Sequence, residues 1–252
     1  MSKISFGKYQ GAGNDFILID DRTLFFDSSL VKSLCDRKFG IGADGLILLQ
    51  NDSAADFRMR IFNSDGSEAE SCGNGLRCLV RFIQDLGENK EQYSIATADR
   101  IVQAKTNGEK ITIRMGPATD FKKLIIDGRE VYSLNTGVPH AVMLVPDTRQ
   151  VDIYRDGPFF RNHPEFQPTG ANVNFASIDS DGLVYVRTFE RGVEGETMAC
   201  GTGASAVGAI ISLLGRSSPI HIRFPGGDVS VSIEGGEIFL TGDATLVFEG
   251  IF

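Results

Sequence analysis

Residues 70–80 read ESCGNGLRCLV and residues 198–210 read MACGTGASAVGAI. Each sets a cysteine, Cys72 or Cys200, directly before Gly-x-Gly at the start of a run with helical character, and the two cysteines are 128 residues apart. The correspondence continues outward. Glu68 and Glu196 each stand four residues before the cysteine, and Leu86-Gly87 and Leu214-Gly215 each follow it by 14 and 15. Upstream, the segment ending at Asn63 (RIFN) matches the one ending at Glu190 (RTFE), Asp44 falls opposite Asn172, and Gly13 opposite Gly137; downstream, Gly116 falls opposite Gly242. Every offset lies between 124 and 128. One register held along the chain marks an internal repeat. The halves are 1–116 and 117–244, and residues 245–252 read as one further strand, expected to return to the first half.

Within the first half, DFILIDD, DGLILLQ, FRMRIF, YSIATA, IVQAKT and KITIRM read as short strands bounded by turn residues. SSLVKSLCDRKF reads as a short helix with Ser at its start, and GNGLRCLVRFIQDLG as a longer one ending at Gly87. Its twin, GTGASAVGAIISLLG, is almost wholly apolar, the pattern of a helix buried on all sides. A buried helix among strands predicts a curled sheet wrapped around it. The expected fold class is α+β: two pseudo-symmetric halves, each a curled, mostly antiparallel β-sheet around a central helix, with the active site in the cleft between them.

The 252 residues are 42% apolar, with no Trp and no low-complexity tract. A net charge of −8 argues against nucleic acid and anionic membranes as partners. No apolar run reaches 18 residues, and MSKISFGKYQ lacks the apolar stretch of a signal peptide. Four cysteines are too few for a disulfide scaffold. The expectation is a soluble cytoplasmic protein with reduced thiols. The 29 glycines concentrate in tight motifs such as GAGND, CGNG, CGTG and FPGGD. Turns explain many of these; close approach of backbone to a ligand is the other use.

The first turn of a helix carries unpaired N–H groups and a partial positive charge. A thiolate is stabilised there, and glycines leave the N–H groups open to a carboxylate. Cys72 and Cys200 therefore read as a pair of poised thiols, each beside an anion cradle. Two such groups on opposite faces of one carbon suit inversion of a stereocentre next to a carboxylate: one removes the α-proton, the other delivers a proton to the opposite face. Cys35 and Cys78 have no twin and read as core residues. No metal site completes around them, no lysine stands in a recognisable Schiff-base setting, and no cofactor is expected.

At these motifs the sequence resembles the diaminopimelate epimerase family, across nearly the whole chain: GAGNDF, IFNSDGSEAESCGNGLRC, PHAV, ANVNF, FERGVEGETMACGTGA and FPGG. The resemblance implies conversion of LL-2,6-diaminopimelate to the meso form without cofactor, in lysine and peptidoglycan-precursor synthesis. It makes Cys72 and Cys200 the proton-transfer thiols. Asn14, Gly73, Asn74, Gly201 and Thr202 match groups that hold the reacting amino-carboxylate end, and Glu190 matches the acceptor of its ammonium. Asn63, Asn172 and Arg191 match groups at the far end, where a guanidinium suits a carboxylate. His140 matches a supporting histidine. A homodimer is the expected assembly.

Two positions depart from the family pattern: Val138 stands before Pro139-His140 where an asparagine is usual, and Gly45 stands where some members carry glutamine. FERGVEGET also carries one residue more than many members. These departures leave the chemistry alone and point to looser selection at the far end. The rival reading is a cofactor-free racemase or epimerase of another amino acid, of the proline, hydroxyproline or glutamate type.

Overall fold

The computed structural model describes residues 3–252. The chain forms two compact units, one of Met1–Ile113 with Gly242–Phe252 and the other of Arg114–Thr241. Each unit is α+β, with few helices and a mixed, mainly antiparallel arrangement of strands.

In the first unit, β1 (Ser5–Gly11) and β2 (Asn14–Asp20) form a hairpin whose turn residues Ala12 and Gly13 are left-handed. β2 then runs parallel to β3 (Gly45–Gln50), a pairing that needs a crossover. The crossover carries a 3-10 turn, Ser28–Leu30, and the short helix α1 (Val31–Cys35). Asp27 caps the 3-10 turn by accepting from the Ser29 N–H, while α1 itself starts from Leu30 with no side-chain cap, where a serine is expected from sequence. β3 pairs antiparallel with β4 (Phe57–Asn63), which meets β5 (Glu68–Ala69) antiparallel and β6 (Gln92–Ala96) parallel. β7 (Ile101–Asn107) and β8 (Lys110–Pro117) continue from β6 as antiparallel neighbours.

The residues of β3 are all buried because the strand is covered on both sides. Ile17, Ile19, Leu46 and Leu48 pack with Val31 and Cys35 on the α1 side. The other side faces α2 (Gly73–Asp85), the central helix, which packs against β1, β2, β3 and β4. The C-terminal strand Thr245–Ile251 pairs antiparallel with β1.

The second unit repeats this plan. β9 (Thr119–Ile126), β10 (Arg129–Asn135) and β11 (Pro139–Leu144) are antiparallel neighbours, and β11 runs parallel to β12 (Asn172–Ile178). The crossover here carries α3 (Ile153–Arg161), which packs on β12 and β13. β13 (Val184–Glu190) pairs with β12, with β14 (Gly195–Thr197) and, in parallel, with β15 (Ile220–Phe224). β16 (Gly227–Glu234) follows β15, β17 (Glu237–Gly242) closes the series, and α4 (Gly201–Leu213) packs on β11, β12, β15 and β16.

Strand registers identify twin positions more finely than sequence offsets do. Phe16 pairs with Gly45 where His140 pairs with Asn172, and Leu46 pairs with Phe62 where Val173 pairs with Phe189. Asn172 is therefore the twin of Gly45, not of Asp44. A one-residue slip sends a side chain to the opposite face of a sheet, so the distinction decides what surrounds it. The same registers make β9 the twin of the C-terminal strand: both pair antiparallel with the first strand of their unit, and each ladder breaks register at the same place, Lys8/Tyr9 and Ser133/Asn135.

Among the described residues no helix is long and apolar enough to cross a membrane, and no cluster of His, Cys, Asp and Glu could hold a metal ion.

Candidate active site

Cys72 and Cys200 hold the same structural position. Each is the N-cap of a helix of 13 residues, with extended backbone, and each sulfur accepts the N–H three residues on, from Gly75 or Gly203, at 3.4 Å. The glycines are dictated by packing. A Cβ on Gly75 would lie 3.0 Å from Ile47 and 3.2 Å from Ile61; a Cβ on Gly203 would lie 2.4 Å from the Asn174 side-chain oxygen. A thiol in this position sits against the positive end of the helix, with the first-turn N–H groups beside it.

In the first unit the structure brings Asn14, Gly73 and Asn74 to Cys72. Asn14 Oδ1 accepts from Cys72 Sγ at 3.8 Å and from Asn74 Nδ2 at 3.4 Å. Asn14 Nδ2 donates to Asp44 at 2.8 Å, and Arg37 bridges Asp44 and Asp15 at 2.7 Å each. Lys8 also pairs with Asp15, and these cations hold the Asp15 carboxyl well below the usual range against the opposing effect of its burial. Beneath the helix start lies Arg77, fully buried, donating to Asn74 Oδ1 at 3.0 Å, to the Asp243 carbonyl at 3.2 Å and to the Gly73 carbonyl at 3.5 Å. Asn63 ends β4, exposed, and donates to Ser67 Oγ at 2.9 Å.

In the second unit Cys200 Sγ lies 3.4 Å from Thr202 Oγ1, on the first turn of α4 beside Gly201. Glu190, at the end of β13, accepts from Thr197 Oγ1 at 2.9 Å. Burial raises its carboxyl above the usual range, and hydrogen bonds from Thr197 and Cys200 oppose that rise. Asn172 is buried and its Oδ1 accepts the Arg191 N–H at 2.8 Å, which fixes the turn that carries Arg191; the guanidinium itself donates to the Thr169 carbonyl at 3.3 Å.

His140 is fully buried on β11. Asn174 Nδ2 donates to its Nδ1 at 3.0 Å, and Thr188 donates to Asn174 Oδ1 at 2.9 Å. With Nδ1 accepting, the proton of the neutral ring is on Nε2, which has no hydrogen-bond partner among the described residues. Burial, with the nearby Arg191 charge, pushes the imidazole down to about 3. The twin positions of His140, Asn174 and Thr188 are Phe16, Ile47 and Ile61: the second unit carries a buried polar trio where the first carries an apolar one.

Cys35 and Cys78 are buried core thiols, pushed up by burial to about 11 and about 12. Gly45 is not an open position: a Cβ there would lie 2.5 Å from the Phe62 carbonyl oxygen. Sequence reasoning did not single out Asp44, Arg77, Asn174 and Thr188, which hydrogen-bond to candidate site residues or to their neighbours. Each lay inside a stretch already marked by the sequence, Arg77 in CGNGLRC, Asn174 in ANVNF, Thr188 in RTFE and Asp44 at a repeat position, but without a mark of its own.

The repeat also shows in paired charges. Arg60 on β4 bridges Glu68 at 2.8 Å, and Arg187 on β13 bridges Glu196 at 2.6 Å, so each glutamate four residues before a catalytic-candidate cysteine pins the strand that leads to it.

Comparison with known proteins follows the same lines. The sequence model for diaminopimelate epimerase matches residues 6–120 and 132–247. The chain is 42% identical to the diaminopimelate epimerase of Aquifex aeolicus over 98% of its own length and 97% of that protein's. It is 40% identical to the diaminopimelate epimerase of Archaeoglobus fulgidus over 99% and 96%. Among solved structures, a phenazine biosynthesis protein of the PhzF family from Bacillus anthracis superposes with a TM-score of 0.80 at 16% identity, covering 100% of this chain and 99% of that one. A probable proline racemase from Agrobacterium radiobacter superposes at 0.71 with 18% identity, covering 98% and 92%. These distant structures share the fold. With the family match spanning both units and full-length relatives at these identities, the chain belongs to the diaminopimelate epimerase family.

Proposed function

We propose that this protein converts LL-2,6-diaminopimelate to meso-diaminopimelate without a cofactor, in the synthesis of lysine and peptidoglycan precursors, in the cytoplasm and as a homodimer. The observation that carries the reading is the pair of cysteines, each the N-cap of a 13-residue helix, one in each repeat. The thiolate of one removes the α-proton. The thiol of the other gives its proton to the opposite face, so the roles of the two sulfurs are exchanged after each turnover. Charge building on the substrate carboxylate in the transition state meets first-turn N–H groups, including those of Gly73 and Gly201. Asn14, Asn74 and Thr202 orient the reacting end. Glu190, whose partly buried carboxyl is raised by desolvation and so favours a compensating cation, receives the ammonium. Arg191, with Asn172 and Asn63, takes the far amino-carboxylate. His140 supports the Cys200 side, as a neutral ring.

The test is incubation with LL-diaminopimelate in deuterium oxide after dialysis against a chelator. The expected result is α-deuterium and meso product, lost in Cys72→Ala and Cys200→Ala. Activity that vanishes on dialysis and returns with a metal or pyridoxal phosphate overturns the proposal. Faster turnover of proline, hydroxyproline or glutamate than of diaminopimelate would favour the rival substrate class.

A further inference from the structure

Two amide side chains, Asn14 and Asn74, meet beside Cys72, and an amide can be turned either way. Here both are anchored from outside by charged groups of opposite kind. Asp44 can only accept, so Asn14 must turn its Nδ2 to it, at 2.8 Å. Arg77 can only donate, so Asn74 must turn its Oδ1 to it, at 3.0 Å. The inner ends then follow: Asn14 Oδ1 faces Asn74 Nδ2 at 3.4 Å and Cys72 Sγ at 3.8 Å. Turning either amide would set oxygen against carboxylate or NH2 against guanidinium.

We propose that Asp44 and Arg77 are positioning residues that set the direction of this amide chain, so that Cys72 is flanked by an acceptor from Asn14 and a donor from Asn74. The inference rests on the epimerase reading for its consequence: the acceptor suits the substrate ammonium and the donor its carboxylate.

Two observations argue that the arrangement is not part of the fold's architecture. The first is the repeat. The twins of Asp44, Asn14, Asn74 and Arg77 are Ala171, Val138, Thr202 and Ser205, so the second unit builds the same strands and the same 13-residue helix with none of the four. The second is the cost of Arg77. It is fully buried, its hydrogen bonds go to carbonyl-type oxygens only, and it forms no ion pair among the described residues. Burial pulls its guanidinium below the usual range. A buried charge with no carboxylate in contact among the described residues, and Asp243 acting on it only at longer range, is an expensive structural element. Retaining it makes sense where its direction-setting bond to Asn74 is used.

The experiment measures kcat/KM on diaminopimelate and, separately, the rate at which iodoacetamide alkylates Cys72, read by peptide mass spectrometry. The variants are Asp44→Asn, Arg77→Lys and Arg77→Gln, with Asp44→Asn also made in an Asn14→Ala background. Asp44 is half exposed, so Asp44→Asn keeps the fold. An asparagine there can donate or accept and no longer dictates the amide. The expected loss in kcat/KM is about ten- to a hundredfold. Cys72 alkylation should speed up severalfold, because the released Asn14 can turn its NH2 to the sulfur. Both changes should disappear in the Asn14→Ala background. Arg77→Lys, still donor-only, should retain more activity than Arg77→Gln. Wild-type rates in Asp44→Asn, equal effects in both backgrounds, or Arg77→Gln matching Arg77→Lys would overturn the proposal. If the wild type fails to epimerise diaminopimelate, the functional reading falls, while the alkylation rates still decide the amide chain.

Discussion

Val138 holds in the second unit the place that Asn14 holds in the first, each one residue after a left-handed glycine, Gly137 at φ 104° and Gly13 at φ 80°. The twin that carries an amide is tied into the Cys72 network; the valine can offer no such bond. Val138→Asn should therefore restore a polar contact and sharpen selection. A site that hydrogen-bonds a substrate group discriminates against analogues lacking it, and one bond to a charged group is worth roughly 1.5–3 kcal/mol. The ratio of kcat/KM for diaminopimelate to that for L-glutamate should rise about ten- to a hundredfold; an unchanged ratio would show that position 138 does not read the substrate. His140 makes a pH prediction. Its ring is held neutral down to about 3, against about 6.5 in the unfolded chain. Between those values the unfolded state binds a proton that the folded state does not, so stability falls as pH drops below about 6.5, by up to about 1.4 kcal/mol per pH unit from this group. His140→Phe, which borrows the twin residue Phe16, should flatten the fall in stability between pH 6.5 and 3 relative to wild type in denaturant titrations. Parallel curves would mean that the ring titrates freely.

The two central helices differ as elements although they match in length and ends. Each closes on a left-handed glycine, with Gly87 and Gly215 bonded back to Gln84 and Ser212 at 2.9 and 3.0 Å. Their first turns rest on different floors. α2 starts over Ile47 and Ile61, whose methyl ends can shift; α4 starts over the Asn174 amide, pinned between His140 and Thr188. The same substitution should thus have unequal effects. Gly203→Ala drives a methyl to 2.4 Å from Asn174 Oδ1 and 3.3 Å from Cys200 Sγ. It should cost about 1–3 kcal/mol and depress kcat by moving the thiol. Gly75→Ala, against flexible isoleucine ends, should cost less. Thermal denaturation and turnover of the pair check this, and equal losses would count against the polar floor as the cause.

On the scale of the whole chain the repeat is circular. The strand that pairs with β10 precedes it in sequence, whereas the strand that pairs with β1 comes from the far C-terminus. Thr245–Ile251 covers β1 and sets Phe248 and Phe252 each 6.0 Å from Phe6, with Gly250 against the Phe6 ring. Ending the chain at residue 244 leaves β1 an uncovered edge, a template for aggregation. Such a truncation should lower soluble yield and the thermal midpoint, and amide exchange along residues 5–10 should lose protection. A truncated chain that melts with the wild-type midpoint would show that the strand is dispensable.

Much of this was legible in the sequence, because repeats, strand alternation, helix caps and the Cys-Gly-x-Gly starts are local patterns that survive in one dimension. The two halves, the strands DGLILLQ and FRMRIF, the long helix ending at Gly87 and the returning C-terminal strand all belong to that class. What only the tertiary structure decided were the matters of register and partner. Which residue twins Asn172 depends on how β12 meets β11 across the crossover that carries α3, and how β13 then pairs beside it. Whether Arg77 lies on a surface or under a helix start, and whether Asn174 meets a histidine or an isoleucine, is set by long-range packing. A polar side chain carries no sequence mark of the group that will satisfy it; burial creates the need for a partner, and the fold supplies it.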